Sequence, residues 1–254
     1  MREGLNPLTH YLHETRINKY YQKNLNGDCF TPIMSEAFFQ FHPNFQHTPN
    51  TNAAIAFLDR DGVINEGYST YVNHPDELVL LEGAADAISK LKQGGFLVCV
   101  VTNQSPLERK LWDHHVLASI HKQMFHELEK IESNAIVDLV LACPHKFSSS
   151  CICRKPESTL LRFGESILRN GTPNMSSNYG MTTLHSSFYK ETNWFDDKPS
   201  PPHPNDAMIG DRRTDEGAGW GYGARTFRIR SNTSLLTLVP RVLNNDDQGD
   251  DFHP

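Results

Sequence analysis

The sequence has no long hydrophobic run, and this absence argues against a membrane protein. Its longest apolar stretch, from Phe96 to Val101, is far shorter than the roughly 20 residues that a membrane-spanning helix needs. The polar N-terminal residues also lack the apolar core of a signal peptide. We therefore expect an intracellular, soluble and cytoplasmic protein without membrane insertion. An amphipathic stretch from Leu8 to Leu25 keeps the mitochondrial matrix as an alternative.

Positive charge is also in short supply. The 24 Lys and Arg residues are outnumbered by 30 Asp and Glu residues, which gives a net charge of -6 at pH 7. Proteins that hold nucleic acid usually present a basic stripe or face. The charge balance therefore disfavours a nucleic-acid partner.

Cysteine is scarce and unevenly spaced, which argues against a disulfide framework. There are 5 cysteines, an odd number, and three of them lie with one histidine in ACPHKFSSSCICRKP. A C-x-H followed by a C-x-C suits four-coordinate Zn²⁺ with a closed ligand shell. The candidate zinc ligands are Cys143, His145, Cys151 and Cys153. A reactive or disulfide-bonded pair of Cys151 and Cys153 is the alternative, and Cys29 and Cys99 are expected to be structural.

The chain divides into segments of different composition. Residues 1–52 are polar and have the composition of an N-terminal extension, whereas residues 53–243 alternate apolar runs with helical patterns. A Ser-, Asn- and Pro-rich insertion interrupts this pattern at about 170–205, and residues 244–254 form an acidic tail that we expect to be solvated. We expect protein partners to bind through residues 1–52 and 170–205. The candidate anchors are Tyr189, Trp194 and Phe195.

Strand and helix patterns alternate from residue 53 onward. The predicted strands are AIAFLD, FLVCVVTNQ, VDLVLAC, DAMIGD and GARTFRIR. Helical periodicity covers Ala84 to Gln93, Leu111 to Ile131 and Ser158 to Arg169. This alternation predicts an α/β fold with a doubly wound, Rossmann-like parallel sheet. Ligands bind such sheets at the carboxyl ends of the strands.

Polar side chains follow four of the predicted strands. They are Asp59 and Asp61, Thr102 and Asn103, Lys155, and Asp211 and Asp215. Clustered carboxylates repel one another unless a cation neutralises them, and all-oxygen ligands favour Mg²⁺. One carboxylate can attack phosphorus, and a second can protonate the leaving oxygen. The set predicts phosphoryl transfer, with Thr102 and Lys155 holding the transferred group.

Four histidines fall on or near one predicted helix. They are His114, His115, His121 and His126. A metal-binding face is one interpretation, but we expect these histidines to be solvated.

The order DxDGxxN, TNQS, CRKP and GDxxxD resembles the haloacid dehalogenase superfamily of phosphohydrolases. The fuller pattern, from DRDGVIN through CPH and CxCRKP to MIGDRRTDEGAG, is similar to the branch that contains heptose-bisphosphate phosphatases and histidinol phosphatases. The resemblance covers about residues 54 to 230, apart from the insertion. It implies a Rossmann-like fold with a zinc-binding loop and a minimal or absent cap domain.

The resemblance also implies roles for the polar residues at the strand ends. Asp59 is expected to be the nucleophile and Asp61 the general acid and base. The implied Mg²⁺ ligands are Asp59, the backbone carbonyl of Asp61, and Asp211, with Asp215 in support. The implied cofactors are thus Mg²⁺ and Zn²⁺.

The remaining roles concern the substrate. By the resemblance, Thr102 and Asn103 bind the phosphoryl group, Lys155 neutralises its charge, and Arg154 reaches toward the substrate. One departure is clear, because TNQS is followed here by Pro-Leu-Glu-Arg-Lys, whereas relatives have a Gly-Ile-Ala-Arg-Gly type of segment that shapes the substrate entrance.

These observations predict a Mg²⁺-dependent phosphomonoesterase that hydrolyses a small phosphorylated metabolite, of the sugar phosphate or histidinol phosphate type, through an aspartyl-phosphate. The alternative is a structural or docking subunit of a larger assembly, because the added segments lie outside the family pattern. A nucleic-acid end phosphatase is a third interpretation, which the acidic charge balance disfavours.

Overall fold

In the computed structural model, the described residues are 35–45, 52–67, 70–149, 151–171 and 177–253. Within them, seven strands form one sheet, and five α-helices accompany it. The strands are β1 (Ser35–Phe41), β2 (Ile55–Leu58), β3 (Leu97–Asn103), β4 (Leu139–Cys143), β5 (Tyr179–Leu184), β6 (Ala207–Gly210) and β7 (Arg225–Arg228). The helices are α1 (Ala84–Gln93), α2 (His114–Ile131), α3 (Thr159–Asn170), α4 (Arg213–Tyr222) and α5 (Leu235–Leu243).

The strand order is β5-β1-β4-β3-β2-β6-β7. The five strands from β4 to β7 in this order run parallel to one another, and β1 runs antiparallel to both β4 and β5. All five strands that the sequence predicts are present and parallel. The predicted doubly wound α/β fold is therefore confirmed.

Helices cover both faces of the sheet. Helices α1, α2 and α5 pack on one face, and α3 and α4 pack on the other. The central strand β2, with the sequence IAFL, is buried along its whole length, as expected for a parallel strand covered on both sides. Helix α2 begins at His114 because Asp113 caps it, accepting hydrogen bonds from the backbone amides of His115 and Val116.

Strand β1 lies within residues 1–52, which the sequence analysis placed in an extension outside the core domain. Its sequence SEAFFQF is almost wholly buried, and Phe38 pairs with Ala142 of β4 on one side and with Met181 of β5 on the other. A strand with neighbours on both sides belongs to the core sheet. The polar composition of the surrounding residues conceals this short apolar segment.

The insertion and the acidic tail also pack on the core. The insertion contributes β5, and the Trp194 ring stacks on that of Trp220 with their centroids 5.5 Å apart. In the tail, Asp250 accepts a hydrogen bond of 2.8 Å from the backbone amide of Arg228 and one of 2.7 Å from Arg241. The tail is therefore exposed over much of its length, as predicted, but Asp250 ties it to Arg241 and to the edge strand β7.

Some predictions concern segments that the structure does not describe. The amphipathic stretch from Leu8 to Leu25 and Cys29 both lie outside the described residues. Within the described part of the chain, every helix is too short or too polar to cross a membrane. The expectation of a minimal or absent cap domain stays a prediction.

Candidate active site

A buried lysine joins two carboxylates at the carboxyl ends of β2, β4 and β6. Lys155 Nζ lies 2.8 Å from Asp59 Oδ1 and 2.7 Å from Asp215 Oδ1, and the lysine side chain is 1% exposed. It also donates a hydrogen bond of 2.7 Å to the carbonyl oxygen of Val101. Burial alone would lower the pKa of Lys155, but the charges of Asp215 and Asp59 outweigh it and raise that pKa. The lysine is therefore held as an ammonium ion.

A third carboxylate, Asp211, completes this cluster. One ligand oxygen from each of Asp59, Asp211 and Asp215 lies within 4.8 Å of the others. Burial raises the pKa of Asp59 to about 6 against the opposing charge of Lys155, and burial together with the charge of Asp59 raises the pKa of Asp211. Lys155 neutralises one of these three charges, so a divalent cation would neutralise the other two.

The oxygen atoms of the cluster fit Mg²⁺. Neither Asp211 Oδ1 nor Asp215 Oδ1 accepts a hydrogen bond from the described residues. Asp215 Oδ1 nevertheless lies 2.7 Å from the Lys155 ammonium, and Asp215 Oδ2 accepts a hydrogen bond from the backbone amide of Arg212. Asp59 and Asp211 are thus the better ligands, and Asp215 supports Lys155. Gly62, at φ +85°, lies against Asp211, since a Cβ atom there would stand 2.6 Å from its Oδ2 atom.

The Asp61 carboxylate is held by a dense set of donors. Arg60 grips it with Nε and Nη2 at 2.9–3.1 Å, Asn65 Nδ2 donates at 2.9 Å, and Gln104 Nε2 donates at 2.9 Å. Burial alone would raise the pKa of Asp61, but the Arg60 charge and these hydrogen bonds hold it below its ordinary value. Asp61 is therefore a carboxylate in this arrangement.

Thr102 and Asn103, both predicted to bind a phosphoryl group, have different environments. The Thr102 hydroxyl oxygen accepts a hydrogen bond of 3.0 Å from Gln104 Nε2, which leaves its proton for another acceptor. The Asn103 amide instead grips the backbone of Lys155, accepting from its N–H at 3.1 Å and donating to its carbonyl at 3.3 Å. Asn103 thus positions Lys155.

The four predicted zinc ligands lie together beside this site. Sγ of Cys143 is 3.5 Å from Nδ1 of His145, 3.7 Å from Sγ of Cys151 and 3.2 Å from Sγ of Cys153. Tetrahedral ligands with Zn–S bonds of about 2.3 Å stand roughly 3.7 Å apart, so the cluster needs little adjustment to hold Zn²⁺. Cys153 forms no disulfide, which contradicts a disulfide between Cys151 and Cys153.

Arg154 braces the loop of residues 143–153, which carries the four predicted zinc ligands and is called the zinc loop below. Its Nη1 atom donates a hydrogen bond of 2.8 Å to the carbonyl oxygen of His145. The resemblance implied that Arg154 reaches toward the substrate, whereas this nitrogen braces the loop that precedes Lys155.

The segment after TNQS contacts the zinc loop. The Glu108 carboxylate accepts hydrogen bonds from the backbone amide of Lys146 and from the Ser149 hydroxyl. Beside this contact is a cavity of about 520 Å³, with Leu107 and Trp112 among its apolar lining residues. The residues that depart from the usual TNQS continuation therefore shape a cavity next to the zinc loop.

Comparisons with known proteins place the chain in a family. No protein-family model matches it. A D-glycero-beta-D-manno-heptose-1,7-bisphosphate 7-phosphatase from Bordetella bronchiseptica is 40% identical over 102 residues, which cover 40% of this chain and 56% of the relative. A probable D-glycero-D-manno-heptose-1,7-bisphosphate 7-phosphatase from Thermoplasma volcanium is 34% identical over 104 residues, 41% of this chain and 69% of the relative. The chain belongs to the heptose-bisphosphate phosphatase family of the haloacid dehalogenase superfamily.

A solved structure shows the same fold. The heptose-bisphosphate phosphatase of Bordetella bronchiseptica, crystallised with magnesium and phosphate, has a TM-score of 0.55 to this chain at 24% identity and covers 75% of it and 98% of that chain. The sequence match spans little more than half of the Bordetella relative. Heptose-bisphosphate phosphatases thus share the architecture of this chain.

In this member of the heptose-bisphosphate phosphatase family, the sequence analysis missed three residues of the candidate site. Arg60, Asn65 and Gln104 all contact the Asp61 carboxylate, although they stand within the quoted motifs DxDGxxN and TNQS. The signal that could have identified these three residues was their position within those motifs.

The expectation that the histidines are solvated is wrong for His121, which is fully buried.

Proposed function

We propose that this chain is a Mg²⁺-dependent phosphomonoesterase that hydrolyses a small phosphorylated metabolite through an aspartyl-phosphate. The observation that carries the proposal is the contact of Lys155 with Asp59 and Asp215 beside Asp211, at the carboxyl edge of a parallel sheet. Membership of a phosphatase family supports it. The names of the relatives favour a sugar phosphate as the substrate class.

In the first step, an Asp59 carboxylate oxygen attacks phosphorus. An O–P bond to Asp59 forms while the bond from phosphorus to the leaving oxygen breaks, and Asp61 gives that oxygen a proton. Asp61 must first take up this proton, and the negative charge of a bound phosphate favours protonation by raising its pKa. Lys155 and the Thr102 hydroxyl would hold the transferring oxygens.

In the second step, water attacks the phosphorus of the aspartyl-phosphate. Asp61, now a carboxylate, takes a proton from the water, and the bond between phosphorus and Asp59 breaks to release inorganic phosphate. The hydrogen bonds from Arg60, Asn65 and Gln104 stabilise the carboxylate form of Asp61 that this step requires.

The proposed Mg²⁺ ligands are Asp59, Asp211 and the backbone carbonyl of Asp61, with Asp215 in support. When bound, the cation neutralises charge on the transferring phosphoryl group. These residues would hold it at the edge where Lys155 lies, so both positive charges would face the same group.

We predict that Mg²⁺ stabilises the protein and that Asp211→Asn removes this effect. At a hundredfold excess over its Kd, Mg²⁺ is expected to add about 2.7 kcal/mol to the free energy of unfolding. Without Mg²⁺, the variant should be at least as stable as the wild type, because one repelling carboxylate is gone. Thermal unfolding with and without Mg²⁺, alongside release of phosphate from a panel of sugar phosphates, checks both statements.

Asp76→Asn is the matched control for that experiment. Asp76 is 88% exposed on a short 3₁₀ helix at the surface, so its replacement should change neither the effect of Mg²⁺ nor the rate. An equal response to Mg²⁺ in Asp211→Asn and the wild type would contradict the proposed ligands, and no Mg²⁺-dependent phosphate release by the wild type would contradict the proposed function.

We also propose that Cys143, His145, Cys151 and Cys153 hold a structural Zn²⁺. With four protein ligands the ion has no open position, so when bound it cross-links the loop and does no chemistry on the substrate. Lys155 follows Cys153 by two residues, and Asn103 grips its backbone. The loop therefore determines where the Lys155 ammonium lies.

Cys151→Ser is expected to release zinc and to lower the free energy of unfolding by more than about 3 kcal/mol, because it leaves the other buried ligands without their shared cation. Activity should fall at saturating Mg²⁺, since Lys155 loses its support. Zinc content, urea unfolding and kcat check the three effects. Cys99→Ser, a buried cysteine outside the cluster, is the control and should retain zinc. Full activity in a folded protein without zinc would contradict the coupling to Lys155.

Two further expectations from the sequence stay predictions. The docking-subunit alternative, with partners at residues 1–52 and 170–205, would show as a larger native size than a free monomer. Cell fractionation would test whether the protein is cytoplasmic or mitochondrial. Within the described chain, Trp194 is used internally, on Trp220, so it is a weaker candidate for a partner anchor.

A further inference from the structure

Arg60 is an unusual residue to find between two catalytic carboxylates, because its long cationic side chain is buried. It is 1% exposed, and among the fully buried side chains it is one of the largest. Three of its hydrogen bonds go to the Asp61 carboxylate, through Nε and Nη2. Its remaining terminal nitrogen, Nη1, points away from Asp61 and needs a partner of its own, since a buried N–H without one is costly.

That partner is a histidine from helix α2. Arg60 Nη1 lies 3.3 Å from Nε2 of His121, and the His121 side chain is fully buried. Arginine can only donate, so Nε2 must be the unprotonated, accepting nitrogen of the ring. Burial and the charge of Arg60 hold the pKa of His121 well below its ordinary value, which is consistent with a neutral ring.

Gln40 of strand β1 fixes the other side of the ring. Its Nε2 atom donates a hydrogen bond of 3.1 Å to the carbonyl oxygen of Ala118, which leaves its Oε1 atom facing His121 Nδ1 at 3.1 Å. Oε1 can only accept, so the ring carries its proton on Nδ1. Phe38, two residues earlier on the same strand, packs against the ring with the centroids 5.6 Å apart. Each hydrogen bond in the series from Gln40 through His121 to Arg60 therefore has one donor and one acceptor.

We propose that Gln40 and His121 are positioning residues that act through Arg60 to hold the Asp61 carboxylate in place for proton transfer to the leaving oxygen. This inference rests on the proposed function, and it assigns a role in that function to strand β1. The alternative is that His121 is a core histidine whose polar atoms are merely satisfied, in which case its loss would affect folding and not the reaction at Asp61.

The two interpretations differ in their dependence on the leaving group. An alkyl phosphate needs its leaving oxygen protonated, whereas 4-nitrophenolate departs without a proton. The ratio kcat/KM reports the steps up to phosphoryl transfer to Asp59, so it isolates the step in which Asp61 acts as an acid. General damage to the site would lower kcat/KM for both substrates alike.

The central experiment compares His121→Phe with the wild type on glycerol 3-phosphate, or the best sugar phosphate found, and on 4-nitrophenyl phosphate. We expect kcat/KM to fall at least about tenfold on the alkyl phosphate, and to stay within about twofold on the aryl phosphate. His121→Gln, whose amide oxygen can accept from Arg60, should recover much of the alkyl phosphate activity. Gln40→Leu should show a smaller loss with the same selectivity.

His126→Phe is the matched control, because His126 lies on the same helix with its side chain exposed. It should leave both substrates unaffected. Equal losses on the two substrates in His121→Phe and Gln40→Leu, or no loss in either variant, would overturn the inference. If His121→Phe does not fold, Gln40→Leu and His121→Gln carry the comparison.

A measurement without substrate separates this inference from the proposed function. Nitrogen-15 NMR of the His121 ring in the folded wild type should show the proton on Nδ1. A proton on Nε2, facing Arg60, would overturn the inference even if the protein is a phosphatase. A wild type that hydrolyses neither substrate with Mg²⁺ would instead refute the proposed function, and the ring tautomer would still report whether the chain from Gln40 to Arg60 exists.

Discussion

Asp59→Asn is expected to lower the rate of phosphate release by at least about 10³-fold, the scale at which loss of a nucleophile acts. The amide is close in size to the carboxylate but is a far weaker nucleophile, so the aspartyl-phosphate cannot form. The side chain is nearly buried and lies 2.8 Å from Lys155, which means that the variant also removes one of the two charges that hold the lysine. Steady-state hydrolysis with Mg²⁺ measures the effect.

The fold should survive this change, because Lys155 keeps its contact with Asp215 at 2.7 Å. Circular dichroism and urea unfolding of Asp59→Asn are the controls for that statement. A second check is trapping, since the wild type should take up ³²P from a labelled substrate after acid quenching and the variant should not. Residual activity near the wild-type rate would contradict Asp59 as the nucleophile.

Lys155→Met is expected to have a large effect on stability. Its ammonium is buried between two carboxylates, and breaking a buried ion pair by removing one partner costs about 3–5 kcal/mol. The free energy of unfolding should fall by this amount at pH 7, because Asp59 and Asp215 are left without their cation. Activity should also disappear, since the phosphoryl oxygens lose a charge partner.

Two observations would distinguish this explanation from lost packing. Acidification protonates the stranded carboxylates, so the stability difference between Lys155→Met and the wild type should shrink as the pH falls toward 4. Lys90→Met, at an exposed position on α1, should cost little at any pH. A stability loss that is independent of pH would mean that methionine simply fits the space badly.

The sequence predicted that the carboxylates at the strand ends lie together, because of where those residues stand. Asp59 and Asp211 follow short apolar strands whose carboxyl ends must share one edge of a parallel sheet, so their proximity follows from the strand pattern alone. The clustering of Cys143, His145, Cys151 and Cys153 was equally accessible, since two closely spaced pairs of soft ligands sit on one short loop. Local spacing and strand order were sufficient for both.

The sequence could not show which partner each polar group takes. Asn103 follows a strand just as Thr102 does, yet its amide is used by the Lys155 backbone. Helical spacing already places His121 on the apolar face of α2 with Leu117 and Met124, so its burial was predictable. Its partners Arg60 and Gln40, on either side of the ring, appear only once β1 is placed. These contacts depend on long-range pairing, which a helical or strand pattern does not encode.

The position of β1, between β4 and the edge strand β5, has a consequence for how the chain folds. This strand is made early, yet its two neighbours are β4, about a hundred residues later, and β5, later still. Such distant pairings form slowly, since the loop between them must close first. Until β1 docks, β4 exposes one edge of its apolar sequence LVLAC, the kind of open edge that recruits other chains. We therefore expect the early segment to protect the nascent sheet from aggregation.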